Sequence, residues 1–205
     1  MKNRISQNWQ GFVLGVLVAV LALGYLNSPK VAVADDTNHL STHDVLQIIA
    51  SPLPENTTSG YYLPYVDLEN TFLDVAHLRF ANLSYAKLHA ATLKGADLYG
   101  TILRGVDLSE ASLDNADLTN AYAIEANLEN ANLPATILHH TNFEDANLKS
   151  ANFSVASLTN VNLAGANIEG ADFSGANLEN ATLPDETIYK AGDNLVERFK
   201  AASNP

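Results

Sequence analysis

No cysteine occurs anywhere in the 205 residues. That absence excludes disulfides, thiolate metal sites, cysteine nucleophiles and the cysteine-linked lipid anchor of bacterial lipoproteins. Basic residues are scarce as well: 11 Lys and Arg stand against 23 Asp and Glu, a formal net charge of -12 with a pI near 4.7. A surface of that sign repels nucleic-acid phosphates and anionic headgroups, so direct contact with either is not expected. Acidic chains poor in aromatics can be disordered, but 47% hydrophobic residues argue for a packed core here. Long apolar runs are missing too. The longest, Phe12 to Leu23, falls short of the roughly 20 residues that cross a ~30 Å hydrocarbon layer. No glycine-rich loop opens a helix after a strand, and no Ser/His/Asp arrangement stands out.

What is present begins with an address. Lys2 and Arg4 precede the apolar run, and Asn27-Ser28-Pro29 and Ala32-Val33-Ala34 follow it. A charged start, a short apolar stretch and a small-x-small tripeptide, in that order, predict a signal peptide over residues 1–34. A retained single-span anchor is the alternative, and no twin-arginine pair is present. The leader holds Lys2, Arg4 and Lys30 and no acid, so cleavage after Ala34 leaves 8 basic against 23 acidic residues and a net charge of -15. The compartment expected is an exported one, with no membrane association once the leader is removed.

From residue 66 a five-residue period governs the chain. Its centres fall at Leu68, Leu73, Leu78 and every fifth position to Leu183, giving 24 units without an insertion. Twenty-three of the 24 centres are Leu, Phe or Ile, Ala123 being the exception, and the residue two before each centre is always Ala, Val or Thr. A helix would scatter such a period around its circumference, at 100° per residue. A strand would alternate the large residue between its two faces, because five is odd. The pattern instead requires a chain that turns once in five residues and sends every centre, with the small residue two before it, toward one axis. Periodicity alone leaves the number of sides open.

The triplets Ala96-Asp97-Leu98, Ala116-Asp117-Leu118, Ala126-Asn127-Leu128, Ala131-Asn132-Leu133, Ala146-Asn147-Leu148 and Ala176-Asn177-Leu178 resemble the Ala-Asp/Asn-Leu-x-x motif of the pentapeptide-repeat family. The resemblance covers 66–185, about 70% of the chain after the leader. It implies an all-β fold, a right-handed quadrilateral β-helix of about six 20-residue coils, on the order of 29 Å long at ~4.8 Å per coil. With the leader, the chain is most similar to the exported family members of cyanobacteria, some of them in the thylakoid lumen. Periplasm and thylakoid lumen are the two compartments expected.

Four sides would stack residues 20 apart. Ala123 then lies between Leu103 and Phe143, as packing compensation for the larger ring, unless the register slips and brings Ile124 inward. Phe153 should stack on Phe173. Asp and Asn dominate the position before each centre, where their side chains bond nearby backbone. Glycine recurs two after it (Gly95, Gly100, Gly105, Gly165, Gly170, Gly175) and eases tight corners. Residues 35–65 are expected to form an N-terminal helix and cap. Ser41 and Asp44 open that helix with Leu40 and Val45 as a hydrophobic staple, Pro52 and Pro54 end it, and Tyr61, Tyr62, Leu63 and Tyr65 cover the first coil. Over 186–205 a second helix capped by Asp193 presents Leu195, Val196 and Phe199. Exposed tails are the alternative at both ends.

Chemistry-bearing constellations do not emerge. The sixteen acids of 66–185 fall at outward corners without a pocket. His39, His43, His77, His89, His139 and His140 form no chelating set, so neither a metal nor a cofactor is expected. Asn56-Thr57-Thr58 and Asn82-Leu83-Ser84 match the glycosylation triplet, which this repeat composition generates freely. Phe72, Phe80 and Tyr85 are bulky at outward positions, and Tyr99, Ile102, Tyr122, Ile124 and Ile137 form a candidate interaction patch. The expectation is a non-catalytic structural or interaction protein whose partner is an unidentified protein or a second copy of the chain. The family resemblance adds an alternative: some members imitate duplex DNA in charge and dimension and bind DNA gyrase.

Overall fold

A computed structural model describes Val45, Ile49, residues 60–193 and Leu195. Parallel bridges join residues 20 apart throughout, in four columns. The first face carries Tyr62, Asn82, Ile102, Tyr122, Asn142, Asn162 and Thr182; the second runs from Asp67 to Asn167, the third from Phe72 to Asp172, the fourth from His77 to Asn177. The four sides, which periodicity left open, follow from this offset. The solution is a β-helix of square section.

The unit around Leu118 pairs all five of its backbone donors. The Asp117 N–H reaches up to the Ala96 carbonyl at 3.0 Å, and the Leu118 N–H reaches down to Ile137 at 2.8 Å. The Asn120 N–H reaches down to His139 at 2.9 Å, and the Ala121 N–H closes the corner on Leu118 at 2.9 Å. The remaining donor, Thr119 N–H, goes to Asp117 Oδ1 at 2.9 Å. That is why Asp and Asn recur before the centre: their short side chains satisfy the one N–H that faces no neighbouring coil.

The corner residue two after each centre adopts a left-handed backbone, with φ between 52° and 69° from Tyr65 to Asn180. This is the requirement at the third residue of a type II turn, and proline suits the second. Pro64 and Pro134 occupy that second position. Non-glycine residues hold the left-handed corner at most units, at roughly 1–2 kcal/mol each, offset by the ladder bonds on both sides.

Inside, every centre from Leu63 to Leu183 is buried except Phe173, which is half-buried. The small residues two before them let the walls approach. Where that residue is Thr, the hydroxyl donates to backbone: Thr101 Oγ1 reaches the Leu98 carbonyl at 2.6 Å and Thr136 Oγ1 that of Leu133 at 2.7 Å. Ala123 is fully buried and Ile124 half-exposed, with the ladder bond from Ala123 N–H to Asn142 intact at 2.7 Å. The register does not slip. Phe153 stacks on Phe173, rings 5.2 Å apart and 3° from parallel, and meets Phe143 edge-on at 6.3 Å.

The ends differ in part from expectation. Tyr61 and Leu63 point inward, Tyr62 bridges Asn82, and Tyr65 takes the left-handed corner at φ 59°. Residues 61–65 are therefore one more unit in register, ahead of Val66, and not a separate lid. Above them Val45 and Ile49 lie in helical backbone and are buried, and the Ile49 carbonyl accepts the His77 N–H at 3.3 Å. At the far end the chain doubles back. Thr182 pairs antiparallel with Ile188, and Leu183 N–H donates to Thr187 at 2.7 Å. Leu195 is helical and buried; Asp193 Oδ2 accepts the Lys190 N–H at 3.1 Å. The leader, Leu40, Ser41, Asp44, Asn56, Val196 and Phe199 lie outside the described residues, as do His39 and His43. Among the described residues, no helix is long and apolar enough to cross a membrane.

Candidate interaction face

The first face divides into two halves. Toward the N-terminus its column reads Tyr62, Asn82, Ile102, Tyr122, with Tyr65 and Tyr85 at the following corner; toward the C-terminus it reads Asn142, Asn162, Thr182. Tyr62, Tyr65, Tyr85, Ile102 and Tyr122 are all exposed, Tyr65 at 70% and Tyr122 at 56%. Half of the exposed large apolar side chains among the described residues thus share four consecutive rungs of one wall.

The rings are held by the repeat itself. Tyr65 stacks on Tyr85, centroids 5.3 Å apart and planes within 12°. Directly below, Gly105 has φ +60°, and a Cβ there would come within 2.5 and 2.6 Å of the Tyr85 ring. The ring lies flat because the next corner has no side chain. The preceding corner repeats the device: Phe80 rests on Gly100, whose Cβ would fall 2.7 Å from the ring. Phe80 meets Tyr99 edge-on at 5.5 Å. Arg79 sits 4.3 Å from the Tyr99 centroid and pairs with Asp97 at 3.2 Å, while the Tyr99 hydroxyl accepts from Asn120 Nδ2 at 2.9 Å.

The five residues proposed from sequence therefore separate. Ile102 and Tyr122 are bridged neighbours, and Ile124 lies two residues on, half-exposed. Tyr99 is committed to the Arg79 and Phe80 cluster at the corner before the face. Ile137 belongs to the fourth wall, between Asp117 and Ser157, and its own circuit reaches the first face at polar Asn142. Tyr62, Tyr65 and Tyr85 belong with Ile102 and Tyr122. The same 20-residue offset would have found them once the repeat was extended up by one unit.

Charge frames this strip. Five basic residues lie within 66–185, and each has an acidic partner: Arg79 with Asp97, Lys87 with Asp67, Lys94 with Asp114, Arg104 with Glu125, Lys149 with Glu169. Hydrogen bonding to Tyr85 and then the charge of Glu125 raise the Arg104 pKa further. Below the strip, Glu144 and Asp145 are exposed, and neither carries an ion pair among the described residues. Elsewhere, burial raises the Asp114 pKa, but the Ser112 hydroxyl, its own backbone N–H, Lys94 and Asn132 together leave it below the ordinary value. The hydroxyl and N–H of Ser174 hold Asp172 below its ordinary value, and burial pushes the Tyr61 phenol up. None of these groups lies in a shared site. Among the described residues no three His, Asp or Glu could hold a metal ion. His89 instead meets the Ser109 hydroxyl at 2.9 Å, and Asn82 Oδ1 is engaged by the Ser84 N–H and hydroxyl at 3.0 and 2.7 Å.

Family models agree with the five-residue repeat. A pentapeptide repeat region matches residues 116–191 and a model of eight pentapeptide repeats matches residues 65–100. Among solved structures, a pentapeptide repeat protein from the Arabidopsis thaliana thylakoid lumen is 32% identical, over 52% of this chain and 74% of that one, with a TM-score of 0.47. QnrB1, a plasmid-mediated fluoroquinolone resistance protein, is 17% identical over 64% and 76%, with a TM-score of 0.45. HetL of Nostoc sp. strain PCC 7120, a pentapeptide repeat protein involved in heterocyst differentiation regulation, is 22% identical over 74% and 100%, with a TM-score of 0.26. A search of curated protein sequences gives no match. With the two repeat matches spanning more than half of the sequence, the chain belongs to the pentapeptide-repeat family, whose members wind as right-handed quadrilateral β-helices.

Proposed function

We propose that this is a non-catalytic protein-interaction module of an exported compartment, a rod of about six coils with a short helix over each end. The observation that carries the reading is the segregation of exposed tyrosines onto the N-terminal half of one face, against Asn and Thr on its other half. Aromatic side chains presented on rigid backbone are what protein interfaces use as anchors. Export rests on the order of charge, apolar stretch and small residues in 1–34, and thylakoid lumen and periplasm are the compartments that fit it. The end helices are supported by the burial of Val45, Ile49 and Leu195.

Photo-crosslinking tests the reading. A benzophenone side chain at position 102 should give a discrete adduct with a partner protein, and the same group at position 157 on the fourth face should not. Replacing Tyr122 and Ile124 by Ser should abolish that adduct without lowering the melting temperature. An undiminished adduct in the double variant removes the face from the account.

The excess of sixteen acids over five bases in 66–185 favours one other reading: mimicry of duplex DNA toward a topoisomerase such as DNA gyrase. A supercoiling assay separates the two. The interaction reading expects no effect of the full-length chain at micromolar concentration; inhibition or protection of the enzyme would install mimicry in its place.

A further inference from the structure

We infer that the occupant of the first face is a short extended protein segment that carries aliphatic or aromatic side chains next to lysine or arginine. This rests on the docking reading above and specifies its partner chemically.

The size of the strip comes first. Tyr62, Asn82, Ile102 and Tyr122 occupy four rungs, about 19 Å at ~4.8 Å each, across a wall of about three extended residues, or about 10 Å. That is on the order of 200 Å², well below the roughly 800 Å² per partner of a stable interface between folded proteins. A flat wall of this area suits a segment lying along it. Charge argues the same way. Arg104, the cation of the strip, is already bound to Glu125 at 2.8 Å. Glu144 stands one rung beyond Ile124, and Asp145 one rung beyond Glu125. Both carboxylates are exposed, and nothing among the described residues neutralises either. A second rod laid parallel on this wall would set Glu125, Glu144 and Asp145 against like charges. A cationic segment would complete them, with its apolar side chains on Ile102 and Tyr122 and its ammonium or guanidinium groups one rung further along.

Fluorescence anisotropy of the full-length chain with labelled hexapeptides tests this. The probes are three leucines followed by three lysines, the reverse order, and three leucines followed by three glutamates. One lysine probe should bind saturably and weaken as salt rises, and the glutamate probe should not bind. Ile102→Ser with Tyr122→Ser should weaken binding about tenfold, and Glu144→Gln with Asp145→Asn about fivefold, both with unchanged melting temperature. Lysine-probe binding that survives the charge variants but falls with the apolar pair keeps the docking face and overturns the basic partner. Binding indifferent to both pairs, or none at millimolar peptide, overturns the inference. If binding is absent while the position-102 adduct persists, the docking face still stands. Sedimentation showing self-association lost in Tyr122→Ser would assign the face to a second copy, and would also overturn it.

Discussion

Gly100 and Gly105 answer two demands at once: a left-handed corner and room for the ring above. Gly100→Ala adds roughly 1–2 kcal/mol of backbone strain and also displaces the Phe80 ring. Thermal denaturation should show the larger loss at position 100 than at Gly95, where a Cβ would meet Val75 at an ordinary 3.5 Å. The double variant Phe80→Ala with Gly100→Ala should lose less than the two single losses combined. Equal losses at 95 and 100 would show that the ring plays no part. Asp114 and Asp172 offer a second test. Their folded carboxyls titrate below the ordinary value near ~3.9, so the stability each contributes is complete above that value. It disappears as pH falls through the folded one. Asp172→Asn should flatten the acid limb of a stability profile below about pH 4 and leave its shape near neutrality unchanged; an unaltered acid limb would refute the Ser174 assignment.

Along three of the four walls, Asx side chains form ladders of their own. Asn127 Nδ2 donates to Asp107 at 3.1 Å, Asn147 Nδ2 to Asn127 at 3.0 Å, and Asn167 Nδ2 to Asn147 at 3.4 Å. Asn147 Oδ1 also accepts the Lys149 N–H at 3.2 Å. Asn147→Ala should therefore cost about 1–2 kcal/mol in chemical denaturation, more than an alanine at exposed Glu179; equal costs would deny the ladder any energetic weight. The sequence made the interior legible because Leu, Ala and the five-residue period all report one thing, the axis. It concealed the first unit, since Tyr61 replaces the usual small residue, although Leu63 keeps the spacing. The antiparallel return at Thr182 and Ile188 was equally hidden, because Pro184-Asp185-Glu186 begins as an ordinary corner and runs one residue longer, with the positive φ at Glu186. Of the site, only Ile102, Tyr122 and Ile124 could be grouped without knowing where the coils begin.

For the molecule as a whole, each coil touches only its neighbours, so a defect on the axis cannot be absorbed elsewhere. Ala123→Leu should cost about 1–3 kcal/mol by overpacking beside Phe143, and Phe143→Leu should recover part of that loss; no recovery would separate the two positions. The surface is a different matter. Ion pairs as exposed as Arg104 with Glu125 contribute little to stability, and charge acts here through which partners approach, not through the fold. Both claims depend on the alternation of inward and outward positions, which adjacent residues test directly. Leu118 is fully buried and Thr119 faces out, so the measurement is the thermal unfolding, followed by circular dichroism, of Leu118→Asp beside Thr119→Asp. The account predicts that an unpaired charge on the axis abolishes the cooperative transition while its neighbour melts like the parent chain; comparable melting of the two variants would contradict it.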